Sequence, residues 1–296
     1  MISTLKKLRR NKNLWDDWQS KAKGPIWNLR MATWRWRTPP ALLILGAQKA
    51  GTTSLANYLD QHPQFFVSKY AKEIHFFDTM GGKQYRQNFE LGMPWYLAHW
   101  DMNPVKNGPF FNFDATPYYL YQPVVPSRIH ATLPNVKMVV ILRNPIDRAI
   151  SQYHMNIRKG TETLPLEQAI YTEEDRIAVA KQNKIEYFQD LYYVSYKDRG
   201  KYAEQLKRYF DLFSREQFLI FRSEELKQKP LEVLDRIYQF VGADSDFKVP
   251  QLEHRNVTEN PTPTDPKLRE YLRQFFVPYN QQLSDLLEQD FSDWNH

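Results

Sequence analysis

Apolar and polar positions along this chain switch between two spacings, and the switches mark its elements. Unbroken apolar runs at 41–45 and 137–142 have the length and composition of strands buried on both faces. Gln64–Ser68, Phe110–Phe113 and Gln217–Phe221 read as three more strands. Helical spacing predicts helices over Thr53–Gln61, from the turn at Pro117 to about Leu133, from Pro145 onward, and over Tyr196–Phe213. Ser223–Gly242 reads as one or two helices with Gly242 as C-cap, and Pro266 to about Gln289 as a closing helix. Residues 83–100 read as a helical, aromatic stretch, 161–195 as helices with a mobile segment, and 244–266 as a Pro-rich loop. Strands alternating with helices predict a parallel, three-layer α/β domain.

The switch at 42–54 carries the first chemistry. A strand runs into Gly46, a tight turn ends at Gly51, and Thr52, Thr53 and Ser54 open a helix. Backbone N–H groups without intrahelical partners, together with the helix dipole, make such a turn a phosphate site. The spacing is P-loop-like, so the sheet is expected to be P-loop-like too. One feature departs from the ATP/GTP loop: Thr52, not lysine, follows Gly51, and the lysine of the loop is Lys49. On the loop alone, a P-loop kinase or NTPase, a non-catalytic nucleotide-binding scaffold and a plain glycine turn all remain open.

Two further stretches concentrate ionisable groups. Lys72-Glu-Ile-His-Phe-Phe-Asp78 places a carboxylate and an imidazole two residues apart beside paired phenylalanines, a pattern suited to general base chemistry. The 137–142 strand ends in Arg143-Asn-Pro145, and the helix that follows carries Ser151. Arg143 and Ser151 are placed to converge on an anion at the C-terminal edge of the sheet. Trp95, Tyr96, Trp100, Tyr118 and Tyr119 form an aromatic set that either stacks on a ligand or fills the core.

Composition narrows these readings. The chain has 296 residues and no cysteine, which excludes disulfides, thiolate metal sites and cysteine nucleophiles. Its net charge of +6 is uneven: residues 1–40 hold ten Lys and Arg against two Asp, leaving the rest at −2. Five of the eight tryptophans (Trp15, Trp18, Trp27, Trp34 and Trp36) lie in that same arm. A basic, Trp-rich arm at 1–40 preceding a domain at 41–296 suits either an anionic membrane surface or packing on its own domain. A near-neutral body argues against nucleic-acid binding. No run reaches the length of a spanning helix, and Leu5 and Leu8 are interrupted by charges, so the expected location is cytoplasmic or peripheral to a membrane.

Taken together, three stretches resemble the sulfotransferase superfamily that uses 3′-phosphoadenosine 5′-phosphosulfate (PAPS). Gly46-Ala-Gln-Lys-Ala-Gly-Thr-Thr-Ser54 is similar to its 5′-phosphosulfate loop, and Val139-Val-Ile-Leu-Arg-Asn-Pro-Ile-Asp-Arg-Ala-Ile-Ser151 to its 3′-phosphate segment. Lys72–Asp78 resembles the catalytic stretch of the heparan-sulfate-type and related carbohydrate enzymes. Arg199-Gly-Lys-Tyr202 and the helix around Tyr279-Asn280 are similar to further parts of that family. The resemblance implies PAPS as co-substrate, 3′,5′-ADP (PAP) as product and no metal. It implies Glu73 as base, Lys49 stabilising the bridging oxygen, and His75 orienting the acceptor. Lys49, Ala50, Gly51, Thr52, Thr53, Ser54, Arg143, Ser151, Tyr202 and Arg255 would hold the nucleotide. Asp78, Trp95, Thr116 and Tyr118 would meet a glycan, glycolipid or small-molecule acceptor. Two departures stand out. Ala115 occupies a position that is often lysine in glycosaminoglycan enzymes, and Glu253-His-Arg-Asn-Val-Thr258 lacks the disulfide-flanked 3′ loop. The resemblance and the lack of a membrane anchor together point to a bacterial-style cytoplasmic member.

Overall fold

The computed structural model describes residues 24–79, 87–102, 108–182, 193–252 and 264–296. The two most apolar runs form the middle of the sheet. β1 (Leu42–Gly46) is buried throughout, and β4 (Lys137–Leu142) beside it is buried from its second residue on. β2 (Phe65–Val67), β3 (Phe111–Ala115) and β5 (Phe218–Arg222) complete a five-stranded sheet in the order β2-β3-β1-β4-β5. Every pairing is parallel, with Ile44 opposite both Ala115 and Val139. Parallel strands need crossovers, and helices supply them, so the three-layer P-loop-like α/β fold follows.

The crossover helices are α1 (Thr52–Leu59), α2 (Gly92–Leu97), α3 (Val125–Thr132), α4 (Pro145–Lys159), α5 (Leu166–Tyr171), α6 (Glu173–Gln182) and α7 (Tyr202–Phe210). Then come α8 (Ser223–Gln228), α9 (Pro230–Val241), ended by left-handed Gly242, and α10 (Pro266–Leu287). α10 packs on α4 and α7. Two expected helices are shorter than the spacing predicts. The described part of the 83–100 stretch, from 87 on, is helical over a 3-10 turn at Asn88–Leu91 and over α2, with the break between them at Gly92, φ 74°. The 196–213 helix begins at Tyr202, after a 3-10 turn at Asp198–Gly200. That turn is wedged in place: a Cβ on Gly200 would lie 2.6 Å from the Phe276 ring and 2.8 Å from Pro145. The close approach pins the turn to the start of α4.

Candidate active site

At the C-terminal edge of the sheet, β1 turns at Gly46, where a Cβ would sit 2.9 Å from both Leu120 and the Pro117 carbonyl. The following loop is anchored by the Ala47 amide, which donates to the Ile141 carbonyl at 2.7 Å. Lys49 (φ 72°) and Gly51 (φ 101°) take left-handed conformations. α1 then starts with no side-chain cap and no acid in its first turn, leaving its end positive. Beside it, Arg143 at the end of β4 donates to the Lys49 carbonyl at 2.9 Å. Ser151 lies further along α4 and is half-buried.

The third wall is the Asp198–Gly200 turn. Glu173, buried in α6, accepts from the amides of Lys197 (2.6 Å) and Asp198 (2.8 Å). Burial pushes its carboxyl up to about 7, against those hydrogen bonds. Arg199 is fixed by Ser195 at 2.9 Å and by the rings of Tyr118 and Tyr121, and it donates to Gln48 of the loop at 2.7 Å. Tyr202, expected at the nucleotide, is instead 1 % exposed and donates its hydroxyl to the Arg143 carbonyl at 2.8 Å. It braces Arg143 from behind rather than facing the cleft.

Opposite this loop runs the segment 71–79, which has no helix or strand. His75 sits in it at φ 52°. Its imidazole lies 2.7 Å from Asp78 through Nδ1 and 3.5 Å from Glu73 through Nε2. Burial would depress this imidazole, but the charge and hydrogen bond of Asp78, then Glu73, outweigh it and raise it to about 10. His75 is therefore a cation at neutral pH. Burial works the other way on Glu73, but His75, Lys72 and Lys159 hold its carboxyl below the usual range. Glu73 stands ionised beside a charged imidazole.

Cations tie the two sides together. Lys72 donates to Thr53 Oγ1 at 2.9 Å, joining the 71–79 segment to the first turn of α1. Lys49 is lowered to about 8, first by burial and then by Arg158, Arg143, Lys159 and Lys72. Five cations crowd a site whose nearest helix end is also positive, and such a cluster favours a multiply charged anion. Lys72, Arg158, Lys159 and Arg199 were not singled out for the site from sequence. Arg158 and Lys159 read as an ordinary basic helix end, and only the path of α4 brings them near Lys49.

Of the four residues expected to meet the acceptor, three are buried. Asp78 and Thr116 are fully buried and Tyr118 is 1 % exposed. Asp78 backs His75, Thr116 receives the Ile74 amide at 3.0 Å, and Tyr118 lies beneath Arg199. They support the cleft wall from inside. Trp95 is half-buried, with its ring against Phe76, His99 and Trp27. Tyr96, Trp100 and Tyr119 are likewise core residues. Arg255 lies outside the described residues.

The described part of the N-terminal arm packs on the domain. A helix over 24–32 lays Trp27 on Tyr70, Trp95 and His99. Arg30 donates to the Ala98 carbonyl at 2.6 Å and pairs with Asp101 at 3.0 Å. Ile26, Leu29 and Trp36 stay exposed, Trp36 to 71 %. Among the described residues no helix is long and apolar enough to cross a membrane.

Residues 39–270 match the family model for the sulfotransferase domain. A membrane-associated sulfotransferase from Dictyostelium discoideum, kil1, is 26% identical across 85% of this chain and 66% of its own length. The human bifunctional heparan sulfate N-deacetylase/N-sulfotransferase 1 is 30% identical across 77% of this chain but only 25% of its own. The chain thus spans two thirds or less of these curated relatives. Among solved structures, a sulfotransferase from Alicyclobacillus acidocaldarius superposes with a TM-score of 0.69 at 32% identity, covering 88% of this chain and all of that one.

Proposed function

The chain belongs to the sulfotransferase domain family, and on that premise we propose that it moves a sulfuryl group from PAPS to a hydroxyl, or an amine, of a saccharide or glycolipid. The observation that supports this reading is that Arg143 donates to the Lys49 carbonyl while Lys72, next to Glu73 in the chain, donates to Thr53 at the start of α1, so that the loop and the Glu73 segment meet. The first turn of α1 and the loop amides hold the 5′-phosphate, while Arg143 and Ser151 take the 3′-phosphate. Glu73 accepts the proton of the attacking hydroxyl as its oxygen bonds to sulfur and the sulfur–oxygen bond to phosphate breaks. Lys49 stabilises the charge left on that phosphate oxygen. Positioning and electrostatics supply the catalysis, as in phosphoryl transfer. His75, charged and fixed by Asp78, orients the acceptor side.

A saccharide acceptor is supported by the heparan sulfate named in the human relative. The kinase alternative is disfavoured by Thr52 in the position where an ATP loop carries lysine. Thermal shift with 3′,5′-ADP and with ATP·Mg²⁺ separates the two. Stabilisation by 3′,5′-ADP is the expected result, and stabilisation by ATP·Mg²⁺ alone would sink the proposal. Radiolabelled PAPS offered with a panel of glycans, glycolipids and small alcohols then identifies the acceptor class.

The arm adds a location. Exposed Ile26, Leu29 and Trp36 beside a strongly basic sequence suit the surface of an anionic membrane, and kil1 is named as membrane-associated. Leu29→Ser with Trp36→Ser should reduce co-sedimentation with phosphatidylserine vesicles. Unchanged binding would exclude that face.

A further inference from the structure

The segment that carries Glu73 and His75 has no secondary structure of its own, yet it holds a histidine in the left-handed region. Such a conformation disfavours a residue with a Cβ and persists only when its surroundings impose it. Three successive peptide units, from Glu73 to Phe76, are held. The Ile74 amide donates to Thr116 Oγ1 at 3.0 Å and the Phe76 amide to the Tyr119 hydroxyl at 2.9 Å. The carbonyls of Ile74 and His75 accept from Asn88 Nδ2 at 3.3 and 3.0 Å.

A hydroxyl receives an amide proton well only if its own proton points elsewhere. Here both hydroxyls point at one carboxylate. Thr116 donates to Asp114 Oδ1 at 2.7 Å, and Tyr119 donates to Asp114 Oδ2 at 2.9 Å. Tyr96 from α2 adds a third donor to Oδ2 at 3.0 Å. Asp114 is the penultimate residue of β3 and is 1 % exposed, so none of this is made by water.

We propose that Asp114 is the positioning residue of the catalytic segment: its carboxylate orients the Thr116 and Tyr119 hydroxyls, which hold His75 where its imidazole reaches both Glu73 and Asp78. The role in catalysis rests on the sulfuryl-transfer reading, but the geometry does not.

A pH dependence follows. Burial raises the Asp114 carboxyl to about 6, against the hydrogen bonds of Thr116, Tyr119 and Tyr96 and the charge of His75. Below that pH the acid carries its own proton, and the hydroxyls lose part of their common acceptor. Glu73, held below its ordinary range, does not titrate there.

The test compares the full chain with Asp114→Asn, Thr116→Val and Thr116→Ser. Asp114→Asn replaces one acceptor oxygen by a donor, and Thr116→Val removes the hydroxyl at equal size, while Thr116→Ser keeps it. The expected loss in kcat is on the order of tenfold or more for the first two and small for the serine variant, with 3′,5′-ADP affinity unchanged. The wild type should lose kcat near pH 6 and Asp114→Asn should not. Independently of activity, ¹⁵N NMR of the imidazole, assigned with His75→Gln, should show His75 titrating near 10 in the wild type and Thr116→Ser. In Asp114→Asn and Thr116→Val it should titrate well below that. Wild-type kcat and an unchanged His75 titration in those two variants overturn the proposal. If Asp114→Asn does not fold, the valine–serine pair decides alone. If the wild type transfers sulfuryl to no acceptor, the sulfotransfer reading falls while the imidazole titration still decides what Asp114 holds.

Discussion

On the loop side of the cleft, Lys49, Arg143 and the first turn of α1 sit on a strand end, a tight turn and a helix start, each read from a dozen neighbouring residues. On the other side, Glu73 and His75 sit on an irregular segment whose shape is imposed by Asn88, Asp114, Thr116 and Tyr119. In the proposed function the loop side would bind through positive charge and main-chain amides, which regular structure supplies at helix ends. The proposed chemistry on the other side needs an imidazole and a carboxylate held at fixed angles, and that takes buried hydrogen bonds from elsewhere in the chain. Binding and chemistry should therefore fail separately.

The sharpest break in that division is Glu73→Gln. Removing a general base typically lowers turnover by about 10²–10⁴-fold. Thermal stabilisation by 3′,5′-ADP should be nearly unchanged, because no anion contact is lost. If the variant turns over at the wild-type rate, Glu73 is not the base. Arg143→Ala tests the other side. A charge-assisted hydrogen bond contributes about 1.5–3 kcal/mol, so 3′,5′-ADP affinity should fall by roughly 10- to 100-fold in calorimetry. 5′-AMP, which lacks the 3′-phosphate, should lose little. An equal loss for both nucleotides would mean that Arg143 acts through the Lys49 carbonyl and not on the 3′-phosphate.

The same division explains what could be read from sequence. All five strands, the glycine turn and Glu73 with His75 are local patterns, and the fold follows from them. The supports are not local. Nothing in Asp114-Ala-Thr-Pro117 says that its carboxylate and hydroxyl serve residues forty positions earlier. Tyr202 and Tyr118 are motif neighbours of functional residues, and motif logic placed them at ligands. Both are buried, Tyr202 donating to the Arg143 carbonyl and Tyr118 lying beneath the Arg199 guanidinium. Of the two readings left open for the aromatic set, core packing holds for Tyr96, Trp100, Tyr118 and Tyr119, all of them buried. Polar residues in a motif do two jobs, and sequence spacing does not separate the one that touches ligand from the one behind it.

A smaller, graded effect should come from pH on the loop side. Lys49 has its affinity for a proton lowered to about 8 by burial and four neighbouring cations. A phosphate binds the charged form, so 3′,5′-ADP affinity should be flat with respect to this group below about pH 7. It should fall by up to about tenfold per unit above 8. Lys49→Met should remove the slope as well as part of the affinity. A wild-type affinity that stays level from pH 7 to 9.5 would separate Lys49 from the bound phosphate.

The smallest effect is expected where the two sides meet, at the 2.9 Å hydrogen bond from Lys72 to Thr53. It is exposed, and exposed pairs of this kind contribute about 1 kcal/mol or less. Thr53→Val keeps the volume and the start of α1 but takes away the acceptor. If the cleft is two independent halves and Thr53 meets the 5′-phosphate through its main-chain amide alone, the variant should leave both 3′,5′-ADP affinity and kcat within about threefold of wild type. If Lys72 carries strain from one side to the other, the loss will appear in kcat alone and will not add to that of Asp114→Asn in the double variant, since both then loosen the same segment. Additive losses would mean that the lysine anchors only the loop, and the catalytic segment would owe its shape to the buried hydroxyls alone.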